Sequence, residues 1–474
     1  MSALLWIRRD LRIHDNPALC EAIKLGAKTA VYISTPLQWE QHNLAPIQAD
    51  FIERHLCALA EPLAKLGIQL IHLPSTDYRS QIDVLTSYCE EQGIDAVCAN
   101  SEPEINELER DQSFKHPHIE LKIFHCDTIL PVGTVLNKQE TMFKVFTPFK
   151  NAWLKRVQLT GIGFNEIPQS STHQLDPELA STQTSRVIVL DYPKVDSSRW
   201  PLSDAVMQSV IPRFFETKLN DYQQNRDYPG IKGTSGLSPY LAIGAISPRS
   251  LAIQLIQHQP DIVHDTNLPA FSWLNELIWR DFYKHLLFHF PNLAKGESFQ
   301  DKYKGMVWQP NHSLFLAWCE GRTGYPLVDA AMKQLNTTGW MHNRLRMVVA
   351  SFLTKHLLID WRQGEKYFMS KLIDGDLSAN NGGWQWAAST GCDAQPYFRI
   401  FNPITQSKKF DPNGDFIRKY LPELNNIPNK DIHFPHQYLE VNGIRDTYCS
   451  PIVDHKDARQ RALDFFKQHH LLTG

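Results

Sequence analysis

At 474 residues the chain exceeds one ordinary hydrophobic core and is read as two domains, each large enough to bury its own apolar interior. It contains no apolar run of about 18 residues, which excludes a membrane-spanning helix. A formal net charge of -3 excludes a general basic coat for nucleic acid, so any DNA site must be a local patch.

The N-terminus runs straight into an apolar stretch flanked by arginines, without the small-residue cleavage site of a secretory signal, so a cytoplasmic location is expected. The eight cysteines are scattered without a CxxC pair, which suits free thiols in a reducing compartment. Residues 1–130 alternate short apolar runs with amphipathic stretches. Leu4 to Ile7, Ala30 to Ile33, Gln69 to Leu73, Ala96 to Ala99 and Leu121 to Phe124 read as strands, and Ile47 to Leu66 and Gln81 to Gln92 as helices. That alternation predicts an α/β domain built on a doubly wound parallel sheet. No GxGxxG is present, so a Rossmann-type dinucleotide site is not supported. Arg8, Arg9 and Arg12 read as a helix start and interdomain salt bridges more readily than as an anion site.

A connection is expected over 131–199; from Gly161 to about Ser198 it turns polar, with one short extended piece at Arg186 to Leu190. From 200 to 474 helical periodicity dominates, at Ser247 to Gln257, Phe271 to Phe288, Gly324 to Asn336, Met341 to Leu357 and Gly364 to Leu372. An all-α second domain follows. Its densest chemistry lies between Trp340 and Asn402, where Asp374, Asp376, Asn343, Asn380, Asn381, Arg344, Arg346, Arg399 and four tryptophans interrupt apolar text. Paired carboxylates at a glycine turn suit metal or acid/base work, but no histidine or cysteine cluster completes a metal shell. An organic cofactor with donor and acceptor edges fits better. A tryptophan-rich core with a structural Arg–Asp pair fits the spacing equally well.

WMHNRLRM, DGDLSANNGGWQW and YFRIFNP in this stretch resemble the flavin-binding segment of the photolyase and cryptochrome family. The resemblance extends through TSGLSPYLAIGAISPR, WLNELIWRDFYKHL and the N-terminal LLWIRRDLRIHDNPAL, and so covers nearly the whole chain. It points within the family to class I enzymes that repair cyclobutane pyrimidine dimers, and implies FAD, in its reduced form, as the active cofactor. Carried over by position, Thr234, Ser235, Leu237 and Ser238, with Tyr222 close by, are implied at the FAD phosphates. Gly236 stands where relatives often have arginine, which leaves Arg280 to carry more of that charge. Trp273 and Arg280 are implied as FAD contacts, Asp376 as acceptor for the flavin imide edge, Asp374 as partner of Arg346, and Asn380 as the amide facing N5. Trp384, Trp361 and Trp308 match an electron relay, although from the residues alone core packing is the preferred reading.

For the lesion, the resemblance implies Glu276 and Asn343 on the pyrimidines, Trp279 and Trp386 as stacking walls, and Met347 beneath. It implies Arg226, Arg344 and Arg399 on the flanking phosphates, with Lys408 and Lys409 as weaker candidates that read more readily as solvated surface charges. His42, Asn43, Glu104, Asn106, Glu107 and Lys295 resemble the groups that hold a 5,10-methenyltetrahydrofolate antenna; a deazaflavin or no antenna stays open. The implied function is light-driven dimer repair by a monomer without an obligate protein partner. A 6-4 photoproduct enzyme is the nearest rival, but Asn343 and Met347 stand where those relatives place histidines, and His342 alone does not restore the pattern. A signalling cryptochrome is the rival of another class. The absence of a long tail after PIVDHKDARQRAL speaks for repair.

Overall fold

β1 (Ala3–Ile7), β2 (Thr29–Ser34), β3 (Gln69–Pro74), β4 (Ala96–Asn100) and β5 (Glu120–Phe124) pair in parallel in the order β3-β2-β1-β4-β5. In the computed structural model, which describes residues 2–167 and 188–473, each strand lies within a residue of its apolar run. Trp6 sits opposite Val31 of β2 and Ala99 of β4, and every residue of β1 and β4 is buried. Strands covered on both faces read as continuous apolar runs, which is why they are legible. The strand order reverses between β1 and β4, and the carboxyl ends flanking that reversal are where open α/β sheets usually receive ligands. Here those ends continue into Arg8-Arg9 and into Ser101-Glu102.

Helix ends depart from the periodicity for local reasons. The helix Tyr78–Gln92 starts three residues early because Asp77 and Ser80 form a reciprocal capping box. Pro46, Pro248 and Pro326 each sit at the first helical position, where a missing N–H costs nothing. The helix expected over Met341 to Leu357 is shorter, Asn343–Ser351, and passes into a wider π-type turn at Phe352–His356. His342 caps its start by accepting from the Arg344 amide. Of the extended piece at Arg186 to Leu190, the first two residues lie outside the described residues; Ile188 and Leu190 are buried, and the described residues 188–190 belong to no strand.

The chain folds into two compact units. One comprises Met1–Asn220, Ser235–Pro291 and Ile373–Ser378; the other comprises Asp221–Thr234, Asn292–Leu372 and Ala379–Gly474. The first holds the sheet and the long helix Phe271–His289. The second is helical, around a core containing Trp318, Trp361, Phe352, Leu353 and Phe466. No described helix is long and apolar enough to cross a membrane.

Candidate functional site

In the first unit the helix Phe271–His289 carries Trp273, Glu276, Trp279 and Arg280 of the implied site. Trp273 is buried against Phe214 and Phe215, with ring centroids at 5.5 and 5.4 Å. Three residues on, Glu276 is half-buried. Arg280 and Lys284 follow at helical spacing and turn a polar stripe inward. Arg280 pairs with Asp127 and also donates to its carbonyl. Lys284 is almost wholly buried and meets three carboxylates, Asp376 at 2.6 Å, Asp127 at 3.0 Å and Glu104 at 3.4 Å. Burial opposes ionisation of Asp376, and Lys284 and Arg280 overcome it, holding that carboxyl far below the usual range. Asp376 therefore offers a fixed acceptor, which also takes the Ser378 hydroxyl.

Asp281 and His285 lock the same helix in place. Asp281 accepts from the Ile129 and Leu130 amides and from Trp153 Nε1 at 2.9 Å, while burial still pushes its carboxyl up to about 6. Trp279 lies half-buried with Phe146 stacked on it at 3.5 Å and 6°. Phe146 is thus part of the expected stacking wall, and no motif marked it. Leu237 is buried and Ser235 half-buried, while Ser238 is exposed. Gly236 has a φ of +69°, the left-handed region, so its backbone asks for glycine independently of any phosphate contact.

The structure also gathers His42, Asn106 and Glu107. The side-chain amides of Gln38 and Asn106 lie 2.9 and 2.8 Å from His42 Nε2. Tyr78, which the sequence reading did not single out, donates to Glu107 at 2.8 Å and packs edge-on to His42. Burial and then the neighbouring Glu104 charge push the Glu107 carboxyl up to about 7. Arg8 and Arg9 pair with Glu102, Asp111 and Glu104. These ion pairs lie within the α/β region rather than between domains, because Glu102 and Glu104 follow β4 and the arginines follow its neighbour β1. Arg12 donates to the carbonyls of Gly244 and Cys126.

In the second unit, Asn343 is exposed at the first position of its helix and Met347 is half-buried one turn on. Neighbouring His342 is buried, and its loss of hydration holds its pKa down at about 4, so it caps the helix as a neutral ring. Arg346 Nε donates to the Met341 carbonyl at 2.9 Å. Asn380 donates from Nδ2 to the Glu365 carbonyl at 2.9 Å, which leaves its own carbonyl oxygen as an acceptor for an N–H. The Glu365 side chain, accepting from Asn381 at 2.8 Å, is pushed by burial up to about 7. Trp308, Trp361 and Trp384 share one hydrophobic core. Trp384 packs edge-on against Phe368 and Trp318, with centroids at 5.0 and 6.0 Å. Trp318 gave no signal in the sequence beyond being aromatic.

Of the expected phosphate contacts, Arg344 pairs with Asp227 at 2.8 Å and lies over the Phe410 ring, while its Nε is buried without a hydrogen-bond partner among the described residues. Arg226 lies over buried Tyr222, 5.4 Å from the ring centroid. Arg399, Lys408 and Lys409 are exposed, and Lys409 lies over Phe410. Trp386 is half-buried near Phe401. Thr234 is half-buried and Lys295 exposed, both in this unit, and Asp374 is buried in the first. Taken singly, the ionised Asp376 in the first unit and the Asn380 carbonyl oxygen in the second are each hydrogen-bond acceptors, the chemistry an N–H of a reduced isoalloxazine requires.

Residues 3–171 match the family model described as DNA photolyase, and 273–468 the one described as FAD binding domain of DNA photolyase. The chain is 46% identical to the deoxyribodipyrimidine photo-lyase of Vibrio cholerae, over 98% of this chain and 99% of that protein. It is 45% identical to the one of Escherichia coli, over 97% of each. Among solved structures, an archaeal photolyase from Sulfolobus tokodaii, described with two FAD molecules and a novel light-harvesting cofactor, superposes with a TM-score of 0.77. It is 28% identical, over 99% of this chain and all 100% of that one. Near-complete coverage at this identity leaves no part of the architecture unaccounted for, and the chain belongs to the DNA photolyase family.

Proposed function

We propose that the protein is a deoxyribodipyrimidine lyase that uses light and FAD to split cyclobutane pyrimidine dimers in DNA. The observation that carries this is the 45% and 46% identity, over nearly the whole chain, to proteins named for that activity. Bound, reduced FAD supplies the photoexcitable electron donor.

The residues do the rest. Asp376 and Asn380 orient the ring by accepting its N–H groups, and Trp273 walls the pocket that keeps water out. Glu276 contacts the pyrimidines of the lesion, and Asn343 adds an amide contact. Trp279, backed by Phe146, and Trp386 receive the flipped bases, which cost less to extrude because a dimer is already poorly stacked. Arg226, Arg344 and Arg399 take the flanking phosphates, supplying the local positive patch that the net charge of -3 denies the molecule as a whole. Trp384, Trp361 and Trp308 conduct electrons inward when the cofactor needs reduction. His42, Asn106, Glu107 and Lys295 hold a folate antenna. The protein works as a cytoplasmic monomer.

The test uses the purified, photoreduced protein and two thymine oligonucleotides, one with a cyclobutane dimer and one with a 6-4 product. Recovery of thymine absorbance on the first alone, under blue or near-ultraviolet light and not in the dark, is expected. No recovery on either, with reduced FAD bound, would move the assignment to a light sensor.

A further inference from the structure

The reversal of strand order between β1 and β4, where a doubly wound sheet ordinarily leaves a ligand crevice, is filled by the protein's own charges. Arg9, leaving β1, pairs with Glu102 and Glu104, leaving β4. The second oxygen of Glu104 faces Lys284 at 3.4 Å, and Lys284 faces Asp376 at 2.6 Å. Glu104 is also the capping residue of the helix Ile105–Ser113, whose first turn carries Asn106 and Glu107. Glu104, Lys284 and Asp376 are each less than a tenth exposed, so little water screens one link from the next.

We infer that Lys284 is a positioning residue for the flavin: it fixes the Asp376 carboxylate and couples it, through Glu104, to the charges at the carboxyl ends of β1 and β4. This rests on the reading of Asp376 as the acceptor for the flavin imide edge. The Lys284 ammonium is shared among buried Asp376 and Glu104 and part-buried Asp127, and two of these are also held by a second cation, Glu104 by Arg9 and Asp127 by Arg280. The burial that would ordinarily strip a lysine of its proton is overcome by Asp127, Asp376 and Glu104, so the charge is permanent. Changing either neighbour of Asp376 along this line alters the field at the flavin with no change in any group that touches it.

The signs of those changes distinguish coupling from a merely structural role. Removing the cation leaves the Asp376 charge less compensated and makes reduction of the flavin harder. Neutralising Glu104 releases Lys284 and Arg9 from one carboxylate and makes reduction easier. The experiment is a redox titration of the FAD-loaded full chain, followed by visible absorbance, for the wild type, Lys284→Met, Lys284→Arg, Glu104→Gln and Asp376→Asn. Expected are a downward shift of the flavin midpoint potential in Lys284→Met, an upward shift in Glu104→Gln and near-wild-type behaviour in Lys284→Arg. Should Lys284→Met not fold, the isosteric Glu104→Gln and Lys284→Arg carry the test. Asp376→Asn separates the two layers. If it alters flavin affinity or potential while Glu104→Gln and the folded Lys284 variants leave the potential unchanged, the inference is overturned. If Asp376→Asn alters neither, the reading of Asp376 beneath it fails and takes the inference with it.

Discussion

Glu365 shows how a single buried group sets a pH dependence. Its carboxyl rises to about 7 because it is desolvated, while the Asn381 amide and the Arg362 charge only partly offset the loss. In the unfolded chain it ionises near the ordinary 4.5, so between that value and about 7 the folded state holds a proton that the unfolded state has lost. Stability falls as pH rises through this window, and the penalty is complete above it. Glu365→Gln, which keeps the acceptor for Asn381, is expected to match the wild type at pH 5 and exceed it at pH 8 by up to about 3 kcal/mol. Thermal unfolding at the two pH values checks this. His342 runs the opposite way. Its neutral ring caps the Asn343 helix, so that contribution is present above about pH 6.5 and lost as pH falls toward 4. Neither role was legible beforehand: His342 entered only as a histidine that does not complete the 6-4 pattern, and Glu365 was not singled out, because desolvation comes from residues distant in sequence.

At the scale of elements, strands and most helices were readable because their signals are local: apolar runs for strands covered on both faces, 3.6-residue periodicity for helices. What periodicity misses is how one helix seats another. Gly364, on the helix Trp361–Met369, is such a seat. A Cβ there would lie 2.1 Å from Trp384 Cη2 and 2.7 Å from Leu353 Cδ2. Gly364→Ala therefore has to displace the Trp384 ring, an overpacking cost of ~1–3 kcal/mol. The expected outcome is a lower melting temperature and earlier release of flavin, followed by flavin fluorescence during heating. The helix Phe271–His289 teaches the same lesson. WLNELIWRDFYKHL marks Trp273, Glu276 and Arg280 through family resemblance, while Asp281 and Lys284 pass as ordinary surface charges until the fold buries them.

For the whole molecule, a net charge of -3 means that DNA affinity must be built from a few unscreened cations. Arg344 is held by Asp227 at 2.8 Å in the free protein, so in its proposed role it meets a DNA phosphate in competition with that carboxylate. Asp227→Asn is expected to tighten binding to a dimer-containing oligonucleotide several-fold. Arg344→Ala should weaken it and reduce the slope of log affinity against log salt by about 1. Fluorescence-anisotropy titrations across a salt series measure both.

The amino-acid sequence by itself determined the fold class, the placement of the five strands and the family, because apolar patterning and long contiguous motifs are properties of neighbours along the chain. Only the tertiary structure decided that Ser235–Pro291 and Ile373–Ser378 fold with the sheet-bearing unit. It also decided that Phe146 backs Trp279, that Tyr78 joins His42 and Glu107, and that Lys284 binds carboxylates from positions 104, 127 and 376. The physical reason is common to all of these. Burial and electrostatic pairing depend on distance in space, and partners separated by up to 180 residues of chain leave no periodic trace.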